Sequence, residues 1–315
     1  MSSDRGNIDL GPGSEFDLVR TLIDEWGKSA QHIGDDAAIV TVAEGEELVV
    51  TTDTSVDGVH FRREWLNHSE IGYRATASAL SDLAAMGARP LGIVIALTLP
   101  KADRHIARGL AMGIREGASA VLCPIVGGDL SSGEILSLTV TALGGVRRPL
   151  TRAGAKPGQL VYVTGRLGGP AAALRAWLAG KEPSERDRAR FARPVPRIEP
   201  AIWLADRGAS SAIDISDGLA ADLAHVAAAS KVRMQIDVER IPRVDGVSPA
   251  EAANSGEEYE VVVTSPAIDI EEFSAEFGLE LTEIGRVVAG SPGVDLLMDG
   301  DKIVAPPGFD HFRNK

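Results

Sequence analysis

Seven aspartates in this chain stand within two residues of Gly, Ser or Thr and close to an apolar run. They are Asp35 and Asp36 in IGDDAAIV, Asp53 in VVTTDTSVDGVHF, Asp82 in ALSDLAAMGARP, Asp129 in IVGGDLSSG, and Asp214 and Asp217 in IDISDGLAADL. Carboxylate oxygen is a hard ligand, and Mg²⁺ takes one or two such groups with waters and substrate phosphates in a near-octahedral shell. The set is large enough for several Mg²⁺ ions. Most positions also have a plainer reading. Asp36 suits a turn before a strand, Asp53 ends a β-branched run where a carboxylate caps or is solvated, and Asp217 suits the N-cap of the helix carrying Leu219, Leu223 and Val226. Asp82 resists that treatment. It falls inside a predicted helix, between Leu80 and Leu83, with almost no charge from Ala75 to Ala88, where an unpaired carboxylate is costly and a metal or a basic partner is expected. Gly127-Gly128-Asp129 follows the apolar run Val121 to Val126, and paired glycines let backbone approach a phosphate while the Asp meets its metal.

Placing these groups takes mixed elements. Short β-rich runs alternate with amphipathic stretches, which predicts an α/β (α+β) fold. Strands are expected at Ala37–Val42, Glu47–Thr52, Gly92–Thr98, Ile135–Leu143, Leu160–Val163 and Glu260–Val263. A helix is expected from Ser69, a good N-cap, to Gly87 near Pro90, burying the face of Ala75, Ala79, Leu83 and Met86. The basic, Pro/Gly-rich segment Arg148 to Gly158 divides a domain of residues 1–150 from one of residues 151–315, and Phe191 to Pro200 (FARPVPRIEP) is expected as an irregular connection.

With 315 residues, 44% of them hydrophobic, two domains of ordinary size can each bury a core. A net charge of −13, from 32 basic and 45 acidic side chains, argues against nucleic acid as a partner. Phosphates would instead be reached through metal ions. The single cysteine, Cys123, excludes an internal disulfide and a Cys-rich zinc site, and reads as a small buried apolar residue. Met1 to Leu10 lack the apolar core of a signal peptide, and Leu91 to Leu99 falls short of the roughly 20 residues that span a membrane. A cytoplasmic protein with no membrane association is expected. Trp26-Gly27-Lys28-Ser29 imitates the end of a P-loop, but Leu22 stands where the first glycine is required, and no Gly-x-Gly-x-x-Gly turn follows a strand. ATP, if bound, must be held by metals and dispersed backbone amides.

Taken in order, IGDDAAIV, TTDTSVDGVHF, ALSDLAAMGARP, VGGDL, TRAGAKPG, IDISDGLAADL, SGEEYE and GFDHF resemble the thiamine-monophosphate kinases of the aminoimidazole-ribonucleotide-synthetase-like superfamily, from Ile33 to Phe312. SDLAAMGA, DISDGL and GFDHF together form a specific combination. The resemblance implies an N-terminal α/β domain whose sheet pairs with a second subunit in a homodimer, and a C-terminal α/β domain closing over the nucleotide. It implies ATP-dependent conversion of thiamine monophosphate to thiamine diphosphate, with several Mg²⁺ ions and K⁺ as a further candidate. Its metal ligands correspond to Asp36, Thr51, Thr52, Asp53, Asp82, Asp129, Asp214 and Asp217; its ATP contacts to Gly128, Asp129, Arg152 and Ser216; its acceptor contacts to His60, Glu257 and Phe309. No side chain is expected to act covalently, because the loose transition state of phosphoryl transfer is served by positioning and charge neutralisation, here from metals and Arg152. Two positions depart from the usual family pattern: Glu258 replaces Asp in SGEEYE, and Leu130 replaces Thr after Asp129. A purine-synthesis ring-closing ligase and a non-catalytic nucleotide- or metal-binding module are the alternatives. A selenide-activating relative would carry a reactive Cys near the start, and a hydrogenase-maturation relative a cysteine-bearing tail where this chain reads HFRNK.

Overall fold

Asn7 and residues 13–304 are described by a computed structural model. The chain divides into two units, Met1–Leu83 with Ala88–Arg147, and Ala84–Gly87 with Arg148–Lys315. In the first unit α1 (Ser14–Trp26), β1 (Glu47–Val56), α2 (His68–Ala85), β2 (Arg89–Leu99), α3 (Ala107–Ser119), β3 (Ile125–Ser132) and β4 (Ser137–Val146) follow in chain order. The sheet runs β1-β4-β2-β3, antiparallel except for the parallel β2–β3 pair. Strand alternation separates its faces. Ile93, Ile95 and Leu97 of β2 and Leu138, Val140 and Ala142 of β4 are buried, whereas Thr52, Thr54 and Ala96 are exposed.

Helix α2 is buried almost all round, not only along Ala75, Ala79 and Leu83, and Met86 lies past its end. Helix α3 explains part of this. A Cβ on its Gly113 would stand 1.8 Å from the Ser69 carbonyl oxygen, and one on Gly72 of α2 would stand 2.2 Å from that of Leu110, so only glycine permits the approach. The expected strand Ala37–Val42 does not form: the segment is irregular, and Ile39 is 70% exposed. An apolar run becomes a strand only with a ladder partner, and β1, its nearest neighbour in sequence, pairs with β4 alone. The other expected strands are found, with β4 beginning at Ser137 rather than Ile135.

The second unit carries β5 (Leu160–Thr164), α4 (Gly169–Leu178), α5 (Glu185–Ala192), α6 (Ile198–Asp206), β6 (Ser211–Asp214), α7 (Leu219–Ser230), β7 (Arg233–Asp237), α8 (Pro249–Asn254), β8 (Val261–Ser265), α9 (Ile270–Phe277), β9 (Leu281–Val288), β10 (Gly293–Met298) and β11 (Asp301–Ile303). Its sheet runs β11-β10-β7-β9-β5-β8-β6, with β10 and β7 parallel and the other pairs antiparallel. Leu219, Leu223 and Val226 of α7 share a core with Met234, Ile236 and Leu296 of the sheet. Each such side chain contributes about 1.5–3 kcal/mol on burial, which fixes the start of α7 against the sheet. The irregular stretch within Phe191–Pro200 is confined to residues 193–197. Phe191 and Ala192 finish α5, and Pro200 sits in the first turn of α6, where its missing N–H leaves no helical bond unmade.

Among the described residues no helix is long and apolar enough to cross a membrane. Cys123 is buried, which pushes its thiol up to about 12 and leaves it inert.

Candidate active site

On β1, alternation places Thr51 and Asp53 on one face and Thr52 on the other. The face of Thr51 meets α2: its hydroxyl donates to Asp82 Oδ2 at 2.5 Å. The helix-interior carboxylate thus gains a hydroxyl partner from the strand, so Thr51 and Asp82 come together with Asp53 on the same face. Thr52 instead meets Thr141, Oγ1 to Oγ1, at 3.1 Å. Cross-strand partners run Thr54–Thr139, Thr139–Ala96 and Ala96–Asp129, so Asp129 stands on the Thr52 face, opposite Asp53. Asp36 is exposed in a bend. The donors are hydroxyl and carboxylate oxygens without sulfur, a chemistry that fits Mg²⁺. Among the described residues no three Asp, Glu, His or Cys side chains gather as a metal-binding group.

Gly128 has a structural reason to be glycine, since a Cβ there would lie 2.3 Å from the Ile95 carbonyl oxygen. Beside it lies an apolar cavity of about 60 Å³ whose walls include Trp26, Ile33, Ile95 and Asp129. Trp26 Nε1 is buried without a hydrogen-bond partner. His60 follows β1, and its Nδ1 accepts the Val56 N–H at 3.1 Å, which places the proton of the neutral ring on Nε2. The loop bearing it is tied down where Arg63 Nη1 donates to Asp103 at 2.7 Å.

In the second unit the turn Ser216-Asp217-Gly218 joins β6, which ends at Asp214, to α7. Asp217 is not the cap. Gly218 occupies the N-cap position, and Asp222, a turn into the helix and buried, accepts the N–H groups of Ser216, Asp217 and Gly218 at 3.1, 3.2 and 3.1 Å on one oxygen. Burial first, and then the charges of Asp214 and Asp217, push the Asp222 carboxyl up to about 8, while the amides pull it down.

A second turn, Gly256 to Tyr259, is stitched to the first. Glu257 N–H donates to the Ser216 carbonyl at 2.7 Å and Tyr259 N–H to that of Ile215 at 2.9 Å. Tyr259 hydroxyl donates to Glu257 Oε2 at 2.7 Å. Glu258 is buried and accepts from Gly168 N at 2.5 Å, Ser255 Oγ at 2.5 Å and Arg190 Nη2 at 3.1 Å. Burial pushes its carboxyl up to about 7 against the pull of Arg190. Glu260 accepts from Arg197 at 2.8 and 2.6 Å, Arg190 Nη1 at 3.0 Å and Thr164 Oγ1 at 2.7 Å. Burial opposes its ionised form, but the two guanidinium groups outweigh it and hold this carboxyl below the ordinary range.

Arg152 lies exposed in the 3₁₀ turn Arg152–Gly154, its carbonyl accepting from Ser230 Oγ at 2.7 Å. Phe309 lies outside the described residues. Sequence reasoning missed Asp222, Arg190 and Arg197. Only Asp222 had a local signal, as an acidic residue one turn into a helix beside a Ser-Asp-Gly turn.

The family model for the AIR synthase related protein, N-terminal domain, matches residues 34–146, and that for the C-terminal domain matches residues 156–296. The thiamine-monophosphate kinase of Escherichia coli (strain K12) is 35% identical, with 95% of this chain and 98% of that protein covered. The crystal structure of thiamine-monophosphate kinase from Stenotrophomonas maltophilia K279a superposes with a TM-score of 0.82 at 34% identity, covering 90% of this chain and 97% of that one. That of AaThiL complexed with AMPPCP and TMP gives 0.76 at 31% identity, covering 97% and 99%. The aspartate turns, the His60 loop and the Glu257 turn all fall inside the matched domains, and the likeness runs nearly the full length of both chains. This chain therefore belongs to the thiamine-monophosphate kinase family.

Proposed function

We propose that the chain transfers the terminal phosphoryl group of ATP to thiamine monophosphate, giving thiamine diphosphate. What carries the reading is 35% identity to a thiamine-monophosphate kinase across 95% of this chain. A structural relative held with AMPPCP, an analogue of ATP, and with TMP supports both substrates. Asp36, Thr51, Thr52, Asp53, Asp82 and Asp129 of the first unit, and Asp214 and Asp217 of the second, would hold Mg²⁺, with K⁺ as a further candidate. Bound there, Mg²⁺ supplies neutralisation of charge on the phosphate oxygens.

The chain's own groups set the rest. Asp222 takes up the amides of the Ser216–Gly218 turn, so the turn offers a ligand its Ser216 hydroxyl and the Asp217 carboxylate rather than backbone N–H groups. The apolar cavity beside Gly128 and Asp129 gives one edge of a nucleobase an apolar wall. Arg152, exposed, offers the ATP phosphates a forked donor. His60, with its proton on Nε2, is a donor for an acceptor phosphate oxygen, and Glu257 and Phe309 suit the thiamine rings by charge pairing and cation–π contact. The acceptor oxygen is already anionic near neutral pH, so no strong base is needed and transfer is in line, without a phospho-enzyme.

Residues 1–150 are assigned metal and ATP binding and dimerisation, and residues 151–315 nucleotide and acceptor binding. Exposed Leu48 and Val50, on the edge strand β1, support a homodimer through that sheet. A cytoplasmic location completes the proposal. Release of ADP that requires thiamine monophosphate tests it, and a rate indifferent to that acceptor contradicts it.

A further inference from the structure

Glu257 and Tyr259 hold left-handed backbone angles, φ 61° and 54°, although neither is glycine. A side chain crowds the backbone in that conformation, so it persists only where the surroundings fix it. Between them sits Glu258, buried, while Glu257 is half-buried. One guanidinium grips the turn on both sides of Tyr259. Arg190 Nη2 donates to Glu258 Oε2 at 3.1 Å and to the Arg166 carbonyl at 2.8 Å, and its Nη1 donates to Glu260 Oε1 at 3.0 Å. Gly168 and Ser255 pin the other oxygen of Glu258. The turn therefore has a fixed root, and Glu257, braced by the Tyr259 hydroxyl at 2.7 Å, is carried on it.

We propose that Arg190 and Glu258 are positioning residues for acceptor recognition: they clamp the Glu257–Tyr259 turn in its left-handed form and so set where the Glu257 carboxylate points. This rests on the reading of Glu257 as an acceptor contact. From this backbone the Glu258 carboxylate reaches Gly168 N, Ser255 and Arg190 at once.

The test is steady-state kinetics of the full-length enzyme at pH 8 with ATP, Mg²⁺ and thiamine monophosphate, alongside thermal unfolding. Arg190→Lys keeps the charge but loses the fork; Arg190→Met with Glu258→Gln removes the pair without leaving a lone buried charge. Each should raise KM for thiamine monophosphate about fivefold or more, with KM for ATP within about twofold and kcat less affected. Because the pair acts through Glu257, adding Arg190→Lys to Glu257→Gln should cost nothing further. Additive effects, an equal rise in KM for ATP, or failure of both variants to fold would each assign the pair to structure alone and overturn the proposal. A Glu257→Gln variant with unchanged KM for thiamine monophosphate sinks the underlying reading instead.

Discussion

Asp222→Ala removes one oxygen on which three consecutive amides converge. Each hydrogen bond contributes on the order of 1 kcal/mol net, which sets the loss at about 3 kcal/mol. Against it stands the relief of a carboxyl whose burial, and then the charges of Asp214 and Asp217, disfavour its ionised form. We expect a net loss of about 2 kcal/mol, a fall in Tm of roughly 4–8 °C for a domain of this size. Asp222→Asn keeps an acceptor oxygen in place and sheds the charge, so its Tm should stay within about 2 °C of the parent. Thermal unfolding by circular dichroism, in metal-free buffer, reads both. If the Ala variant melts with the parent, the amides do not depend on Asp222; if Asn loses as much as Ala, charge rather than acceptor geometry holds the turn.

Three further outcomes are expected. Asp82→Asn should fold, since Thr51 can still donate to an amide oxygen, yet lose at least about 100-fold in kcat/KM, about 3 kcal/mol of transition-state stabilisation; near-parental activity at ordinary Mg²⁺ would return Asp82 to a structural role. Glu257→Gln and Phe309→Ala should raise KM for thiamine monophosphate several-fold with little change for ATP, and the reverse pattern would move the acceptor pocket elsewhere. Glu258 has a folded pKa raised to about 7 from 4.5, so its contribution to stability is fully present below pH 4.5 and is lost as pH rises through 7. Glu258→Gln should lack that decline, gaining about 3 kcal/mol relative to the parent across the window, and parallel stability–pH curves would refute the assignment.

Asp82 was legible because it breaks the pattern of its own helix; what the pattern could not say was that a strand hydroxyl, Thr51, would meet it. The opposite facing of Thr51 and Thr52 follows from strand alternation alone, so their separation was open to sequence reasoning. At the Ser216–Gly218 turn the pattern pointed to Asp217 as the cap, and only geometry shows that Asp222 takes the amides. Arg190 and Arg197 lie far along the chain from Glu258 and Glu260, beside and within the stretch expected as an irregular connection. Their role comes from tertiary packing and left no local trace. The failure of Ala37–Val42 to form a strand has the same origin: apolar composition supplies one side of a ladder, and the chain must supply the other.

The central claim is most directly tested by incubating the purified chain with ATP, Mg²⁺ and either thiamine monophosphate or free thiamine, and resolving the products chromatographically. The account predicts thiamine diphosphate and ADP in equal amounts from the monophosphate and no phosphorylated product from thiamine. Formation of thiamine monophosphate from thiamine, or ADP release without thiamine diphosphate, would contradict it.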